Sequence, residues 1–260
     1  MVEAADRMVG DIRFSILGAL EVGAAGRMSA PSAPRLRQVL ALFLARENQT
    51  VTRDAVISEM WGESPPRTAV ATVQTYVYQL RRGALYAEEL ITRPGGYVLI
   101  VPEGALDLHH FEALAAEGET LLRRGRTREA AGRLGQALDL WKGEPLSDTP
   151  KGPTLSAYAA ALQERRRQVL MQRINADMLC GDDYRVIGEL RMLIQADPYN
   201  EWYHEQLIKA LFRSGRRWDA LQSYQELERL LSDELDLPPS DRLRRLYAEF
   251  LGGGHIRRVG

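Results

Sequence analysis

The sequence predicts an α+β domain followed by an all-α domain of stacked helical repeats. The first observation is a change near Gly104, before which strand and helix patterns alternate and after which only helical periodicity occurs. The second is that Gly181 and Gly215 lie 34 residues apart, the period of a tetratricopeptide unit. The third is a β-hairpin signal after three predicted helices, the element order of a winged helix-turn-helix. We therefore expect an N-terminal winged helix-turn-helix and a tetratricopeptide-like helical repeat domain.

Composition narrows the class of protein. The chain has 34 Lys+Arg against 35 Asp+Glu, a net charge of −1 and 45% hydrophobic residues, which is ordinary for a folded domain. The longest stretch without a charged side chain, 68–80, has 13 residues, whereas a membrane helix needs about 18. Without such a helix, without an apolar leader and with Cys180 as the single cysteine, we expect a cytoplasmic protein that has no disulfide.

Short-range patterns predict the first elements. Residues 12–16 alternate apolar and polar side chains, as a half-buried strand does, and 20–22 look like the returning strand. Pro34 suits the first turn of a helix, and apolar residues recur after it at helical spacing. Thr52 is the expected N-cap of a second helix, which ends at Gly62.

The third predicted helix, residues 67–82, carries the strongest functional signal. Its opposite sides differ, since one is apolar and the other shows hydroxyls, an amide, a phenol and a guanidinium but no acid. A helix with such a polar side fits the DNA major groove, whose base edges offer donors, acceptors and thymine methyls and whose phosphates repel carboxylates. A solvated helix on any α+β domain is the alternative interpretation. The apolar stripe consists of Val70, Val73, Val77 and Leu80.

A β-hairpin is predicted to follow this helix. Pro94 and Gly95 separate two β-prone runs, 90–92 and 97–101, and suit the central positions of a type II turn. Arg93 at the tip is placed to reach a minor groove or a phosphate, or is an exposed arginine on a turn. The candidate DNA-binding residues are therefore Arg67, Thr68, Thr72, Thr75, Tyr78, Gln79, Arg81, Arg82 and Arg93.

The helical half contains three related segments, which begin at Gly125, Gly181 and Gly215. Aligned on these glycines, they carry small or large nonpolar side chains 5, 9 and 12 positions later. A helical hairpin of this kind cannot bury its apolar face alone and stacks on its neighbours. The proline-rich stretch 142–154 looks like an inserted loop. The expected domain limits are 1–103 for the DNA-binding domain, 104–251 for the repeat domain and 252–260 for a flexible tail.

Patterns of a catalytic or metal site are lacking. The segment GGGHIRR near the end does not have the Lys-Ser/Thr of a phosphate-binding loop. His109 and His110 begin an amphipathic helix and are interpreted as surface or packing residues. Cys180 and the pair Asp182 and Asp183 fall at helix ends, where packing and the helix dipole explain them. We expect no enzyme activity, no cofactor and no metal.

Together these motifs resemble the SARP family, the Streptomyces antibiotic regulatory proteins. The first half resembles an OmpR-type DNA-binding domain in FSILGALEV, VTRDAVISEMWGESPPRTAVATVQTYVYQLRR and TRPGGYVL. The second half resembles the bacterial transcriptional activator domain in LDLHHFEAL, ALDLWKGEPLSD and RSGRRWDALQSYQELERLLSDELDLPPS. The resemblance covers residues 11–251. One departure is the linker 83–89, which is shorter than in many relatives and contains two acids.

The resemblance implies a transcriptional activator of gene clusters for antibiotics or other secondary metabolites. Family members bind direct repeats in promoters and recruit RNA polymerase. The implied partners are double-stranded promoter DNA, RNA polymerase holoenzyme and a second protomer on the adjacent repeat, and no membrane is involved. The alternative from another class is a helical-repeat adaptor whose winged helix contacts protein instead of DNA.

Overall fold

The structure is a computed structural model of the chain, which describes most of its residues. The described segments hold ten α-helices and six β-strands. Ile12 of the first predicted strand and residues 253–260 of the predicted tail lie outside them. The described residues are 13–24, 27–28, 30–82 and 86–252.

The order of elements confirms the predicted fold class. Strands and helices alternate up to the β-hairpin, and the described chain after it forms helices. The first part comprises β1 (Arg13–Ser15), β2 (Glu21–Ala24), β3 (Arg27–Met28), α1 (Pro34–Ala45), β4 (Val51–Thr52), α2 (Arg53–Trp61), α3 (Ala69–Arg81), β5 (Leu90–Arg93) and β6 (Gly96–Leu99). The second part comprises α4 (Asp107–Arg123), α5 (Thr127–Asp139), α6 (Pro153–Leu179), α7 (Asp183–Ala196), α8 (Glu201–Arg213), α9 (Arg217–Leu235) and α10 (Asp241–Gly252).

Two small antiparallel sheets frame the N-terminal helices. The first has the order β1-β2-β3 and the second the order β4-β6-β5. In the β5–β6 hairpin Arg93 pairs with Gly96, and between them Gly95 has a φ of 83°, as the third position of a type II turn requires. The strands β3 and β4 did not emerge from the sequence, because two residues are too few to show an alternating pattern.

Local signals set the ends of α1 and α2 as predicted. Pro34 is the first residue of α1. The Thr52 side chain caps α2, where its Oγ1 accepts a hydrogen bond from the Ala55 N–H at 3.1 Å. Gly62 follows α2 with a φ of 60°, a left-handed conformation that ends the helix.

One residue of the predicted apolar stripe of α3 is exposed instead of buried. Val73, Val77 and Leu80 are buried, but Val70 is 46% exposed. The helix begins at Ala69, which is buried and occupies the core side of the first turn. Because successive helical residues point about 100° apart, Val70 then faces outward. The prediction that Val70 is buried was wrong.

The chain folds into two compact units. The first contains residues 1–124 and 132–172, and the second contains residues 125–131 and 173–260. The predicted domain boundary after residue 103 separates two sequence motifs and not two compact units, and it stays a prediction. The packing within the first unit joins the winged helix to α4, most of α5 and the larger part of α6.

One hydrophobic core runs through the first unit and draws on both halves of the sequence. Phe14 of β1 and Phe43 of α1 belong to it, as do Phe111 of α4 and Trp141 after α5. The Phe111 and Trp141 rings meet edge to face with their centroids 5.4 Å apart. Because aromatic side chains bury large apolar areas, the winged helix and the helices of this unit depend on each other for stability.

Backbone hydrogen bonds also tie the two halves of the first unit together. In the loop 140–152 the Lys142 N–H donates to the Leu17 carbonyl at 2.8 Å. Asp107, the first residue of α4, accepts hydrogen bonds from the N–H groups of Ile16 and Leu17 at 3.0 and 3.1 Å. Burial raises the pKa of the Asp107 carboxyl, and these donors partly offset that rise. The predicted insertion therefore serves as a packed loop.

The most deeply buried of these links is the carboxylate of Glu59 in α2, which is 2% exposed. It accepts hydrogen bonds from the N–H groups of Gly152 at 2.6 Å, Thr154 at 2.8 Å and Leu155 at 3.3 Å. The helix α6 begins at Pro153, so these donors surround its N-terminus, where N–H groups lack acceptors within the helix. Glu59 therefore caps a helix that lies far from it in sequence.

The backbone of this cap is packed as closely as its side chain. A Cβ built on Gly152 would lie 2.0 Å from the carbonyl oxygen of Glu59, closer than two atoms can approach. The same carbonyl accepts a hydrogen bond from the buried Gln38 amide of α1 at 2.9 Å. The Glu59 residue thus contacts both α1 and the start of α6.

In the second unit the repeat register agrees with the sequence. Gly181 and Gly215 join consecutive helices with φ values of 81° and 78°, a backbone conformation that glycine adopts at little cost. Five residues after each glycine the side chain is fully buried, and nine residues after it the side chain is at most 3% exposed. These buried residues are Val186, Ala220, Leu190 and Tyr224.

We predict that Glu59→Ala destabilises the folded chain. The substitution leaves buried N–H donors at the start of α6 without an acceptor, and each such group costs roughly 1–3 kcal/mol. With three such donors, we therefore expect a loss of about 3 kcal/mol or more in the free energy of unfolding, measured by urea denaturation. The control is Glu63→Ala, which removes an exposed carboxylate just beyond α2. Equal unfolding midpoints for the two variants would contradict the capping role.

Candidate nucleic-acid interface

The side of α3 opposite the core forms a continuous exposed surface. Its residues are three or four positions apart, the spacing that puts side chains on one side of a helix. Tyr78 in the middle is 63% exposed. We call this surface the readout face, and it consists of Ala71, Thr75, Tyr78 and Arg82.

The predicted DNA-binding residues are gathered on α3, its ends and the hairpin. Arg67 and Thr68 precede the helix, Arg82 is its C-cap residue, and Arg93 ends β5. All of the predicted residues are exposed except Thr72 and Arg81, which are half-buried. Residues 64–82 contain no Asp or Glu, so this surface offers positive and neutral polar groups to a partner.

Arg81 connects α3 to the hairpin. Its Nε donates to the Leu90 carbonyl at 2.8 Å and its Nη2 donates to Thr92 Oγ1 at 2.9 Å. The guanidinium carbon also lies 6.0 Å from the centre of the Tyr97 ring, within the range of a cation–π contact. The charge of Arg81 is therefore directed at β5 and β6. These contacts fix the hairpin, and with it Arg93, next to the end of α3.

Two hydroxyls of α3 are occupied inside the helix. Thr72 Oγ1 donates to the Thr68 carbonyl at 3.0 Å, and Thr75 Oγ1 donates to the Ala71 carbonyl at 2.9 Å. Such bonds to the carbonyl four residues earlier are a common arrangement of threonine within helices. The hydroxyl protons are consequently not free to reach a ligand, whereas the methyl group of Thr75 remains on the readout face.

The segment between α3 and the hairpin buries one of its acids. Of the linker 83–89, residues 83–85 lie outside the described part. Glu88 is exposed, but Glu89 is only 8% exposed, and burial raises the pKa of its carboxyl. Burial likewise raises the pKa of the Tyr86 phenol, whose ring lies 5.9 Å from that of Phe14. Of the two acids of the linker, only Glu88 is therefore exposed.

Gln74 is exposed but is not among the predicted DNA-binding residues. It lies one position before Thr75 and four before Tyr78, so it borders the readout face. A helical wheel centred on the truly buried residues, Ala69 included, would have found it. The predicted apolar stripe included Val70 instead of Ala69, so Gln74 was placed next to the apolar side of the helix and not next to the polar side.

His109 and Asp183 each have a polar partner in the structure. His109 Nδ1 accepts a hydrogen bond from the Gly104 N–H at 3.2 Å, so its Nε2 carries the proton that faces Glu47 at 2.8 Å. Asp183 pairs with Arg213 at 3.2 Å. Among the described residues, no group of three or more His, Cys, Asp and Glu could hold a metal ion, and none of the described helices combines the length and apolarity of a membrane span.

Two protein-family models match the chain. Residues 29–99 match the model described as "Transcriptional regulatory protein, C terminal". Residues 106–251 match the model described as "Bacterial transcriptional activator domain". The two matches follow the order of the winged helix and the repeat helices.

Similar proteins are named as regulators. Regulatory protein DnrI of Streptomyces peucetius is 36% identical in an alignment of 250 residues that covers 92% of each chain. Regulatory protein AfsR of Streptomyces coelicolor is 38% identical over 243 residues, which are 93% of this chain but only 24% of AfsR. The AfsR of Streptomyces griseus is likewise covered over 24% of its length, so the chain spans about a quarter of these two relatives.

A solved structure shares the fold. The structure described as Mycobacterium tuberculosis EmbR in complex with low affinity phosphopeptide superposes with a TM-score of 0.86 and 32% sequence identity. The match covers 94% of this chain and 65% of that chain. The likeness extends over both sequence halves.

We predict that two neighbouring arginines differ in their effect on stability. Arg81→Ala removes charge-assisted hydrogen bonds to the hairpin, so we expect a loss of about 1.5–3 kcal/mol in the free energy of unfolding. Arg82→Ala changes an exposed side chain and should stay within about 0.5 kcal/mol of the wild type. Chemical denaturation followed by circular dichroism compares the two. Equal losses would show that Arg81 does not hold the hairpin.

Proposed function

Because this chain belongs to the SARP family of bacterial transcriptional regulators, we propose that it is a sequence-specific DNA-binding activator. Its targets would be direct repeats in the promoters of a secondary-metabolite gene cluster, such as one for an antibiotic. A chromosomal target also implies action in the cytoplasm. The observation that carries the proposal is the acid-free, exposed readout face of α3 beside a hairpin that Arg81 fixes in place.

The exposed residues suggest a division of roles on DNA. An α-helix fits the major groove, so the readout face, with Gln79 beside it, would meet base edges there. Arg67 and Thr68 at the start of α3 would contact phosphates, which arginines neutralise. Arg93 would reach the neighbouring minor groove or a phosphate. Thr72 would help to set the register, and Arg81 would act by positioning the hairpin.

The helical repeats supply the second half of the proposed activity. Stacked helical hairpins present extended surfaces for protein partners. We propose RNA polymerase holoenzyme as that partner, in keeping with the family match over residues 106–251. The adaptor hypothesis, in which the winged helix contacts protein, is the outcome to expect if no DNA is bound.

Selection from random double-stranded DNA, followed by gel-shift titration of the full chain, tests the proposal. We predict a bound consensus, with competition by the same site but not by unrelated DNA. Tyr78→Ala and Arg82→Ala should each weaken binding by about 1–3 kcal/mol if they contact bases. If Arg82 instead contacts a phosphate, the salt dependence should fall by about one unit of slope.

Matched variants in the repeats control for general damage. Tyr184 is 73% exposed and Arg128 is exposed, and both lie outside the winged helix. Tyr184→Ala and Arg128→Ala should therefore bind the selected DNA as the wild type does. Wild-type affinity in both α3 variants as well would exclude α3 as the recognition helix.

The arrangement of two protomers gives a separate prediction. Protomers on direct repeats should stand head to tail, with repeat centres about 10–10.5 base pairs apart, so that both lie on one face of the DNA. Inserting about half a helical turn between the repeats puts them on opposite faces and should abolish cooperative binding. Inserting a full turn should largely restore it. A footprint that is indifferent to both insertions would mean that the protomers bind independently.

A further inference from the structure

The N-terminal half of the readout face presents methyl groups. Ala71 ends in a methyl group, and Thr75 one turn later has its hydroxyl bonded to the Ala71 carbonyl at 2.9 Å. Both side chains are exposed. Residues four apart are neighbours on a helix surface, so their methyl groups form one small apolar patch between the polar groups of Tyr78 and the N-terminal end.

The bond inside the helix decides what Thr75 can offer. Phosphate oxygens and the guanine edge in the major groove accept hydrogen bonds, so a hydroxyl must donate its proton to bind them. The Thr75 proton is already donated to the backbone. The Thr75 oxygen keeps only acceptor capacity, which suits the amino groups of adenine and cytosine. The Thr75 methyl group has no partner inside the helix, and the apolar group that the major groove offers to it is the C5-methyl of thymine.

The position along the helix supports contact with bases. In helix-turn-helix proteins the N-terminal residues of the recognition helix meet the base edges. Ala71, Gln74 and Thr75 lie in the first two turns of α3, which begins at Ala69. Gln74 is exposed beside the patch, and a glutamine amide matches the N6 and N7 groups of adenine.

We propose that Ala71 and Thr75 read the methyl group of a thymine and that Gln74 binds an adenine beside it. The half-site of this protein therefore contains two neighbouring A·T base pairs, and both are read in the major groove. This inference rests on the proposed function, and it names the bases that the readout face selects.

Two substitutions at Thr75 separate its methyl from its hydroxyl. Thr75→Val keeps the methyl and removes the hydroxyl, so it should retain more affinity for the selected DNA than Thr75→Ser does. Thr75→Ser keeps the hydroxyl and removes the methyl, so affinity should fall about fourfold, the effect of taking one buried methyl group out of a contact. Contact of the hydroxyl with a phosphate would give the opposite order and would overturn the proposal.

Modified bases make the complementary change in the DNA. Each thymine of the selected site is replaced in turn by deoxyuridine, which lacks only the C5-methyl group. At one position the wild type should lose affinity about fourfold, while Thr75→Ser, which keeps only the Ala71 contact, should lose less. A 7-deaza-adenine at the adjacent position removes the N7 acceptor and should weaken the wild type but not Gln74→Ala.

The outcomes distinguish this inference from the function on which it rests. If the wild type binds no DNA, the proposed function fails. If it binds a consensus site but deoxyuridine has no effect at any position, only the thymine readout is wrong. If 7-deaza-adenine weakens the wild type and Gln74→Ala equally, the role assigned to Gln74 is wrong.

Discussion

A single buried carboxylate organises the first compact unit. Glu59 is almost fully enclosed, and a buried charge is stable only when donors surround it. The free N–H groups at the start of α6 supply them, so the charge and the helix end satisfy each other. Neither partner has a good alternative, because water cannot reach the carboxylate and the N–H groups have no acceptor in their own helix. The position of α2 is thereby fixed against α6.

The contacts of α2 also fix the position of α3, which carries the proposed interface. The helix α2 packs on both α1 and α3, and Gln38 of α1 bonds to the backbone of Glu59. Val73 and Val77 then anchor α3 in the same core, and its readout face points away from it. The hydrogen bonds of Arg81 then hold the hairpin against the end of α3. A surface that reads base edges needs side chains held within a fraction of an ångström, and this chain of contacts provides that constraint without a ligand.

The sequence predicted those features that neighbouring residues determine. The Thr52 cap, the turn at Gly95 and the glycine-based repeat register each depend on a few adjacent positions. Features that depend on distant residues did not emerge. Arg81 and Arg82 look equivalent in the sequence, and only the placement of Leu90 and Thr92 makes them different. The pairing of Glu59 with Gly152 spans 93 positions, which no local pattern reveals. The readout face was predicted in part. Its polar side was correct, but Gln74 was missed because the predicted apolar stripe included the exposed Val70 instead of the buried Ala69.

The shared core has a consequence for exchanging specificity between related regulators. A chimera joined directly after the hairpin would pair the Glu59 of one parent with the helix start of another. It would also place Phe14 and Phe43 of one parent in the same core as the residues that replace Phe111 and Trp141 in the other parent. The segment to exchange is therefore residues 1–172, which contain the whole first unit, including the loop that carries Gly152, together with residues 125–131 of the second unit. A substitution on the readout face changes an exposed side chain outside this core, whereas a substitution at the Glu59 cap requires a matching change 93 positions away, at Gly152.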